Sequence, residues 1–280
     1  MSFIGTHVSA AGGVWQGIKR GEALACESVQ IFTRNQLQWR ARPLSASACE
    51  KFMRAWSSSP IRKVVAHAPY LLNLAAEGDT RNRSIMSLAE EIQRCEQLGV
   101  DDLVLHPGSH LGHGEETGRE LVVSGLKQVI SRTDPSRTRI LLETMSGQGH
   151  TLGSTLEELA WIFDEVDCSS RLGICLDTCH LFAGGYELRG RVSYERLCSA
   201  ADRLFGIDNV RCWHLNDSKK GLGSRLDRHQ HIGEGMIGVE LFSCIVSDPR
   251  WNSTPCILET PKEGPGDEGN LALLRKMRGF

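Results

Sequence analysis

Short runs of β-branched and aliphatic residues alternate with helix-period runs along the whole chain, and this alternation constrains the fold more than any other feature. The strand-like runs are Phe3–Val8, Ser28–Phe32, Lys63–Ala66, Leu103–Leu105, Arg139–Leu142, Leu172–Leu176, Val210–Trp213 and Pro255–Leu258. Helical periodicity marks Val14–Ala25, Ala46–Ser57, Arg83–Gly99, Glu116–Ser131, Tyr194–Phe205 and Val239–Val246. In the third of these, Ile85, Leu88, Ile92, Cys95 and Leu98 recur at spacings of three and four, and Gly99 stands where a C-terminal cap belongs. Ser154-Thr155-Leu156-Glu157 reads as a capping box ahead of an apolar stripe of Leu156, Leu159, Ala160, Phe163 and Val166. Eight strands alternating with helices are the count of a (β/α)8 TIM barrel, an α/β fold that uses about 250 residues as one unit. A chain of 280 residues with no linker and no change of composition is therefore expected to be one domain, 1–280.

Composition narrows the function. An apolar content of 40% and a formal net charge of -2 exclude a mainly disordered chain and argue against a generic polyanion binder, leaving aside any bound cations. No apolar run approaches ~18 residues, so no membrane span is expected. Met1–His7 lacks the basic and apolar blocks of a signal peptide. The ten cysteines are scattered without a Cys-x-x-Cys pair, which reads as reduced, mostly buried thiols in a cytoplasmic protein.

The ionisable residues are not spread at random over this pattern. Six successive strands end in His or a carboxylate: His67, His106, Glu143, Asp177, His214 and Glu259. Barrels build their active sites on that C-terminal face. Asp177-Thr178-Cys179-His180 and Asp227-Arg228-His229-Gln230-His231 add donors from two loops. A single His at a strand end is most often structural, and a bare carboxylate after an apolar run carries a desolvation cost that an Arg partner would relieve. Yet these six ends converge on one ring roughly 15 Å across. Histidines and acids gathered there match the ligand set of zinc or manganese. Five His and four carboxylates exceed one tetrahedral site and suffice for three metals if one carboxylate bridges. Three Zn2+ against four carboxylates leave a net positive pocket, which suits a phosphate ester, because metals polarise phosphoryl oxygens and stabilise the leaving oxygen. Spacing alone does not decide between His229 and His231.

Five strings carry a closer resemblance: Thr6–Gly13, His106–His110, Asp177–His180, His214–Lys219 and Gly223–His229. In order and over Ile4 to about Thr260, they resemble the endonuclease IV family of zinc-dependent apurinic/apyrimidinic endonucleases of base-excision repair. Pro261–Phe280 adds no matching motif. The resemblance implies three zinc ions, with Mn2+ as a substitute. His67, His106 and Glu143 would hold the first; Glu143, Asp177, His214 and Glu259 the second; His180, Asp227 and His229 the third. It selects His229 over His231, leaves His7 and His110 in supporting roles, and leaves His113 and His150 as plain loop residues.

The implied reaction of this deoxyribonuclease IV type is hydrolysis of the phosphodiester 5′ to an abasic site, leaving a 3′-hydroxyl and a 5′-deoxyribose phosphate, with trimming of blocked 3′ ends. Its nucleophile would be a hydroxide held between the first two metals, with Glu143 as the catalytic bridge. The implied partner is double-stranded DNA, bent so that the abasic nucleotide enters the metal pocket; a monomer is expected. Tyr70 and Leu71 match the family's wedge, their alternative being a loop that caps the barrel. Asn35, Gln36 and Leu37 fit a DNA-contacting loop, although Leu37 stands where relatives carry an inserting Arg. Lys219, Lys220, Arg225 and Arg228 read as phosphate-positioning residues or as a solvated basic loop. A metal-dependent sugar isomerase or epimerase of the xylose isomerase-like barrels is the alternative enzyme. A catalytically inert damage-binding protein is the alternative without chemistry, and it would be expected to lack a ligand.

Overall fold

A computed structural model describes residues 1–279; Phe280, the last residue of the span assigned to one domain, lies outside them. Eight parallel strands close into a barrel: β1 (Phe3–His7), β2 (Ser28–Ile31), β3 (Lys63–His67), β4 (Asp102–Leu105), β5 (Arg139–Glu143), β6 (Leu172–Asp177), β7 (Val210–His214) and β10 (Pro255–Leu258). Each pairs with its sequence neighbour, and β1 closes on β10 with Thr6 opposite Leu258. Glycine is required in β1 because a Cβ on Gly5 would lie 1.7 Å from the Ser28 carbonyl oxygen. The predicted (β/α)8 TIM barrel is the observed fold.

The strands separate two apolar layers. Outward-facing Ile4, Val29, Val64, Leu103, Leu142 and Leu176 pack with the helices into the main core, each burial worth ~1.5–3 kcal/mol. Inward-facing Val65, Val104, Leu141, Cys175, Cys212 and Ile257 fill the barrel as a second, fully buried cluster. Each of these six stands two residues before one of the six acidic or His strand ends. The two-residue period of a strand therefore aims all six polar side chains inward, just above a dry apolar floor.

The helices are α1 (Val14–Ala23), α2 (Ala46–Ser57), α3 (Gly78–Leu98), α4 (Glu115–Arg132), α5 (Leu156–Val166), α6 (Thr178–Gly184), α7 (Arg191–Phe205), α8 (Val239–Ser247) and α9 (Gly266–Arg278). Gly99 caps α3 in the left-handed conformation, as its position predicts. The capping box needs correction. The N-cap of α5 is Thr155, not Ser154: its hydroxyl accepts from the Glu158 backbone, while the Glu158 carboxylate reaches back to the amides of Gly153 and Ser154. The cap stands one residue later because Glu158, not Glu157, supplies the carboxylate that reaches back to the free amides.

The segment after Pro261, which carried no motif, forms α9. Leu271 and Leu274 bury one face of it, acidic Asp267 and Glu268 occupy its first turn, and Arg275, Lys276 and Arg278 its last, matching the helix dipole. It packs on α8 and β1, completing the outer ring. The short hairpin β8 (Asp217–Ser218) and β9 (His229–Gln230) stands on the rim after β7. The cysteines are free thiols. No described helix is long and apolar enough to cross a membrane.

Candidate metal centre

Four of the six rim donors, His67, Glu143, Asp177 and His214, are the last residues of their strands, and His106 and Glu259 lie one residue past theirs. A ladder-held backbone fixes their origin, which is why they meet accurately. His180 comes from α6, whose N-cap is Asp177 itself: Asp177 Oδ1 accepts from the His180 amide at 2.7 Å. Asp227 comes from the long excursion between β8 and β9, and His229 is the first residue of β9.

These nine donors form three groups, in each of which the donor atoms lie within 4.8 Å of one another: His67, His106 and Glu143; Glu143, Asp177, His214 and Glu259; and His180, Asp227 and His229. Glu143 joins the first two through different oxygens. Its Oε2 lies 3.3 Å from His67 Nε2 and 3.1 Å from His106 Nε2, whereas Oε1 lies 2.9 Å from His214 Nδ1. His214 Nδ1 is also 3.2 Å from Glu259 Oε2. In the third group Asp227 spans the two imidazoles, Oδ2 at 3.2 Å from His180 Nε2 and Oδ1 at 3.1 Å from His229 Nε2.

The far nitrogen of each ring shows which nitrogen faces the group. His67 Nδ1 lies 2.7 Å from the Ala68 carbonyl, His180 Nδ1 2.8 Å from that of Thr144, and His229 Nδ1 3.0 Å from that of Glu259. A carbonyl only accepts, so each Nδ1 carries hydrogen and each Nε2 turns toward the carboxylates. His214 is reversed. Gln30 donates its amide to Glu259 Oε1 at 2.7 Å, which leaves its carbonyl oxygen 2.8 Å from His214 Nε2 and points Nδ1 into the site.

A neutral ring with Nδ1–H sets an Nε2 lone pair against carboxylate oxygens, which repels unless a metal cation, or in its absence a second ring proton, stands between them. His180 Nε2 and His229 Nε2 are indeed buried with no hydrogen-bond partner. The donor set thus fits divalent cations, all of it nitrogen and carboxylate oxygen as zinc or manganese accepts. The same geometry drives the titration of the metal-free chain. Burial opposes charge on His180 and His214, but the facing carboxylates outweigh it and raise both well above the ordinary imidazole value. His229 is raised to about 9 for the same reason, chiefly by Asp227 and Asp177. Burial alone would lift Glu143, yet the His214 and His106 rings hold it well below the carboxylate range.

Three residues support the donors without any sequence pattern that marks them. Gln30 is the first. Asn216 donates to Asp177 Oδ2 at 2.7 Å and accepts from the Glu259 amide at 2.8 Å, so it holds two donors of the second group in register. Thr144 presents its carbonyl to His180 and its hydroxyl to the Asp177 amide. Their signal was a polar side chain in buried surroundings that demanded partners, most plainly Gln30 in the fully buried run Ser28–Ile31.

The other histidines fall outside the groups. His7 supports Glu259 at 3.2 Å. His231 bonds Asn270, and the His110 ring accepts from the Gly112 and Gly114 amides. His113 and His150 lie in the rim loops, the His150 ring 4.7 Å from that of His110 and tilted 43° to it. Around the mouth, Tyr70 is exposed with its ring 5.4 Å from that of His67 and 5.6 Å from that of His106, while Leu71 beside it is half-buried. Asn35 and Leu37 are exposed and Gln36 half-buried; the Leu37 amide donates to Asn35 Oδ1. Lys219, Lys220, Arg225 and Arg228 are exposed on the excursion that carries Asp227 and His229.

Comparison with known proteins accords with this geometry. The profile of the xylose isomerase-like TIM barrels matches residues 18–278. A protein of Chloroflexus aurantiacus named "Probable endonuclease 4" is 46% identical over 99% of this chain and 98% of its own. The crystal structure of endonuclease IV from Thermus thermophilus superposes with a TM-score of 0.88 at 36% identity, covering 98% of both chains. A D-tagatose 3-epimerase-like protein, 19% identical with a TM-score of 0.76 over 99% of this chain and 97% of its own, shares the fold alone. A full-length likeness of that identity, together with the matching profile, places this chain among the xylose isomerase-like TIM barrels and, within them, in the endonuclease IV family.

Proposed function

We propose that this chain is a DNA-repair apurinic/apyrimidinic endonuclease, a phosphodiester hydrolase that cuts 5′ to abasic sites in double-stranded DNA and trims blocked 3′ ends. The observation that carries the reading is the convergence of nine His and carboxylate donors into three groups at the barrel mouth, two of which share Glu143. Endonuclease 4 relatives at full length support it. His67, His106 and Glu143 would hold one zinc, Glu143, Asp177, His214 and Glu259 a second, and His180, Asp227 and His229 a third, with Mn2+ as a substitute. Bound there, zinc supplies Lewis-acid polarisation of the phosphoryl oxygens and hydrolytic power at neutral pH.

The chain's own residues do the rest. Glu143 reaches two groups through its separate oxygens, which supports its reading as the catalytic bridge. The floor of Val65, Val104, Leu141, Cys175, Cys212 and Ile257 excludes water from below and strengthens every charge interaction above it. Tyr70 and Leu71, with Asn35, Gln36 and Leu37, stand around the mouth where they would fill the gap left by a missing base and flip the sugar inward. Lys219, Arg225 and Arg228 would contact phosphates and set the register of the duplex. Residues 1–280 act as a single catalytic domain, a monomer located in the cytoplasm.

The test is nicking of a duplex with one central abasic site, before chelation, after it and after zinc is restored. Expected are nicking that leaves a 3′-hydroxyl, loss on chelation and recovery with zinc. Undiminished nicking by a metal-free preparation would overturn the proposal. Conversion of ketoses or aldoses, with no nicking, would favour the isomerase reading instead.

A further inference from the structure

Asp217 has no part in the three donor groups, yet its carboxylate is fully buried at the base of the excursion that carries Asp227 and His229. Four backbone amides converge on it. Oδ1 accepts from Ser218 at 2.8 Å and Ile237 at 2.9 Å, and Oδ2 accepts from Gly233 at 3.0 Å and Gly235 at 3.1 Å. Gly235 leaves the room for this: a Cβ there would stand 2.4 Å from Asp217 Oδ1. The returning segment 231–237 is thus wrapped around a single side chain that sits beside His229 in the β8–β9 ladder, where Ser218 pairs with His229 and Asp217 with Gln230.

The rest of the excursion has weaker anchors. Between Lys219 and Arg228 it has no regular structure, and it is tied down by lone contacts such as Arg225 to the Ala183 carbonyl and Asp227 to Gln148. The Asp227 side chain is itself 41% exposed. Rim donors on barrel strands inherit their positions from the barrel ladder, whereas Asp227 lies in no ladder and His229 is held only by the two-residue β8–β9 pairing and its contact with the Glu259 carbonyl.

We infer that Asp217 is a positioning residue for the third donor group: by gathering four amides it fixes the loop that brings Asp227 and His229 to His180. The inference rests on the metal reading proposed above, and it concerns only the third group. Glu143, Asp177, His214 and the first-group histidines keep their strand-end anchors whatever happens to the hairpin.

Asp217→Asn tests it, because an amide NH2 in place of one oxygen confronts two backbone donors at nearly unchanged size. Zinc-loaded D217N should retain about two of three zinc ions per chain, with affinity at the lost position down about 10–100-fold. Hydrogen exchange should quicken across residues 227–237, and abasic nicking should fall mainly in kcat, with KM changed little. Gly235→Ala, which presses on the same carboxylate without altering it, should reproduce the pattern, and it keeps the test alive if D217N does not fold. Three zinc ions and wild-type exchange in both variants would overturn the inference. A wild-type protein that holds fewer than three ions would overturn the metal reading of the third group instead, while exchange still reports on Asp217.

Discussion

Gln30 reaches Glu259 past the end of β1, its amide nitrogen 2.7 Å from the carboxylate, and through that bond sets the direction of a third residue, His214. The carboxylate only accepts, so the Gln30 carbonyl must face His214 Nε2, and Nδ1 is left for the group of Glu143, Asp177 and Glu259. Gln30→Ala should free the His214 ring to rotate and lower zinc affinity at the second group about 10–100-fold, the usual cost of losing such a partner. Gln30→Glu should be worse at neutral pH, since a second carboxylate would face Glu259. Zinc competition with a chromophoric chelator measures both; equal affinities for wild type and Q30A would remove this role.

Glu143→Ala deletes the atoms that join two donor groups. Abasic nicking should fall at least ~10³-fold, as expected when metal-assisted hydrolysis loses a shared ligand. Binding of abasic duplex should survive in part, because Tyr70, Leu71 and the basic loop are untouched. Full zinc occupancy together with wild-type nicking in E143A would refute the bridging role.

The raised imidazoles give the metal-free chain a definite pH response. Carboxylates hold His180 and His214 above the ordinary imidazole value and His229 to about 9, so these rings are protonated near neutrality. A raised folded-state value stabilises fully below the unfolded value of about 6.5 and loses that contribution as pH climbs through the folded one. Metal-free protein should therefore lose stability between about pH 6.5 and 9. Zinc requires the rings neutral, so loading at pH 7 should release protons, and zinc affinity should rise with pH over the same window. Melting curves at pH 6.5 and 9, with EDTA and with zinc, check the first point. Proton release in two weakly different buffers checks the second, and no release would contradict the assigned ring states.

The barrel and its mouth were legible in the sequence for one reason, the strand period of two. Val65 and His67, or Leu141 and Glu143, announce an inward-facing pair of floor and donor before any contact is known. The supports were hidden because their partners lie far along the chain: Gln30 meets Glu259, and Asn216 meets Asp177. Helix α6 was hidden too. Six of its seven residues are buried, so it has no amphipathic stripe to detect. In α9 the stripe of Leu271 and Leu274 was present, but it lay in a segment that carried no motif.

Tyr70 overhangs the site, its ring within 6 Å of those of His67, His106 and Phe32. As a wedge it should matter most where a base is missing inside a stack. Tyr70→Ala should slow abasic nicking roughly 10-fold, a loss of about 1.4 kcal/mol and within the range for one base–aromatic stack. Trimming of blocked 3′ ends, which needs less unstacking, should slow less. Equal losses in the two assays would count against a wedge.

Leu37 offers the cleanest test of how the rim meets DNA. Its side chain is 70% exposed, and its amide is held by Asn35 Oδ1, so the loop does not depend on an apolar residue there. Leu37→Arg introduces a guanidinium able to stack on a base and to attract phosphate. Affinity for abasic duplex should rise about 2–5-fold at low salt, in line with one exposed cation–π contact. The slope of log affinity against log salt should steepen by about 0.9 if one phosphate is gained. Binding titrations at several salt concentrations measure both quantities, while kcat should stay unchanged because position 37 lies outside the donor groups. An unchanged slope with unchanged affinity would mean that the loop tip never reaches the duplex.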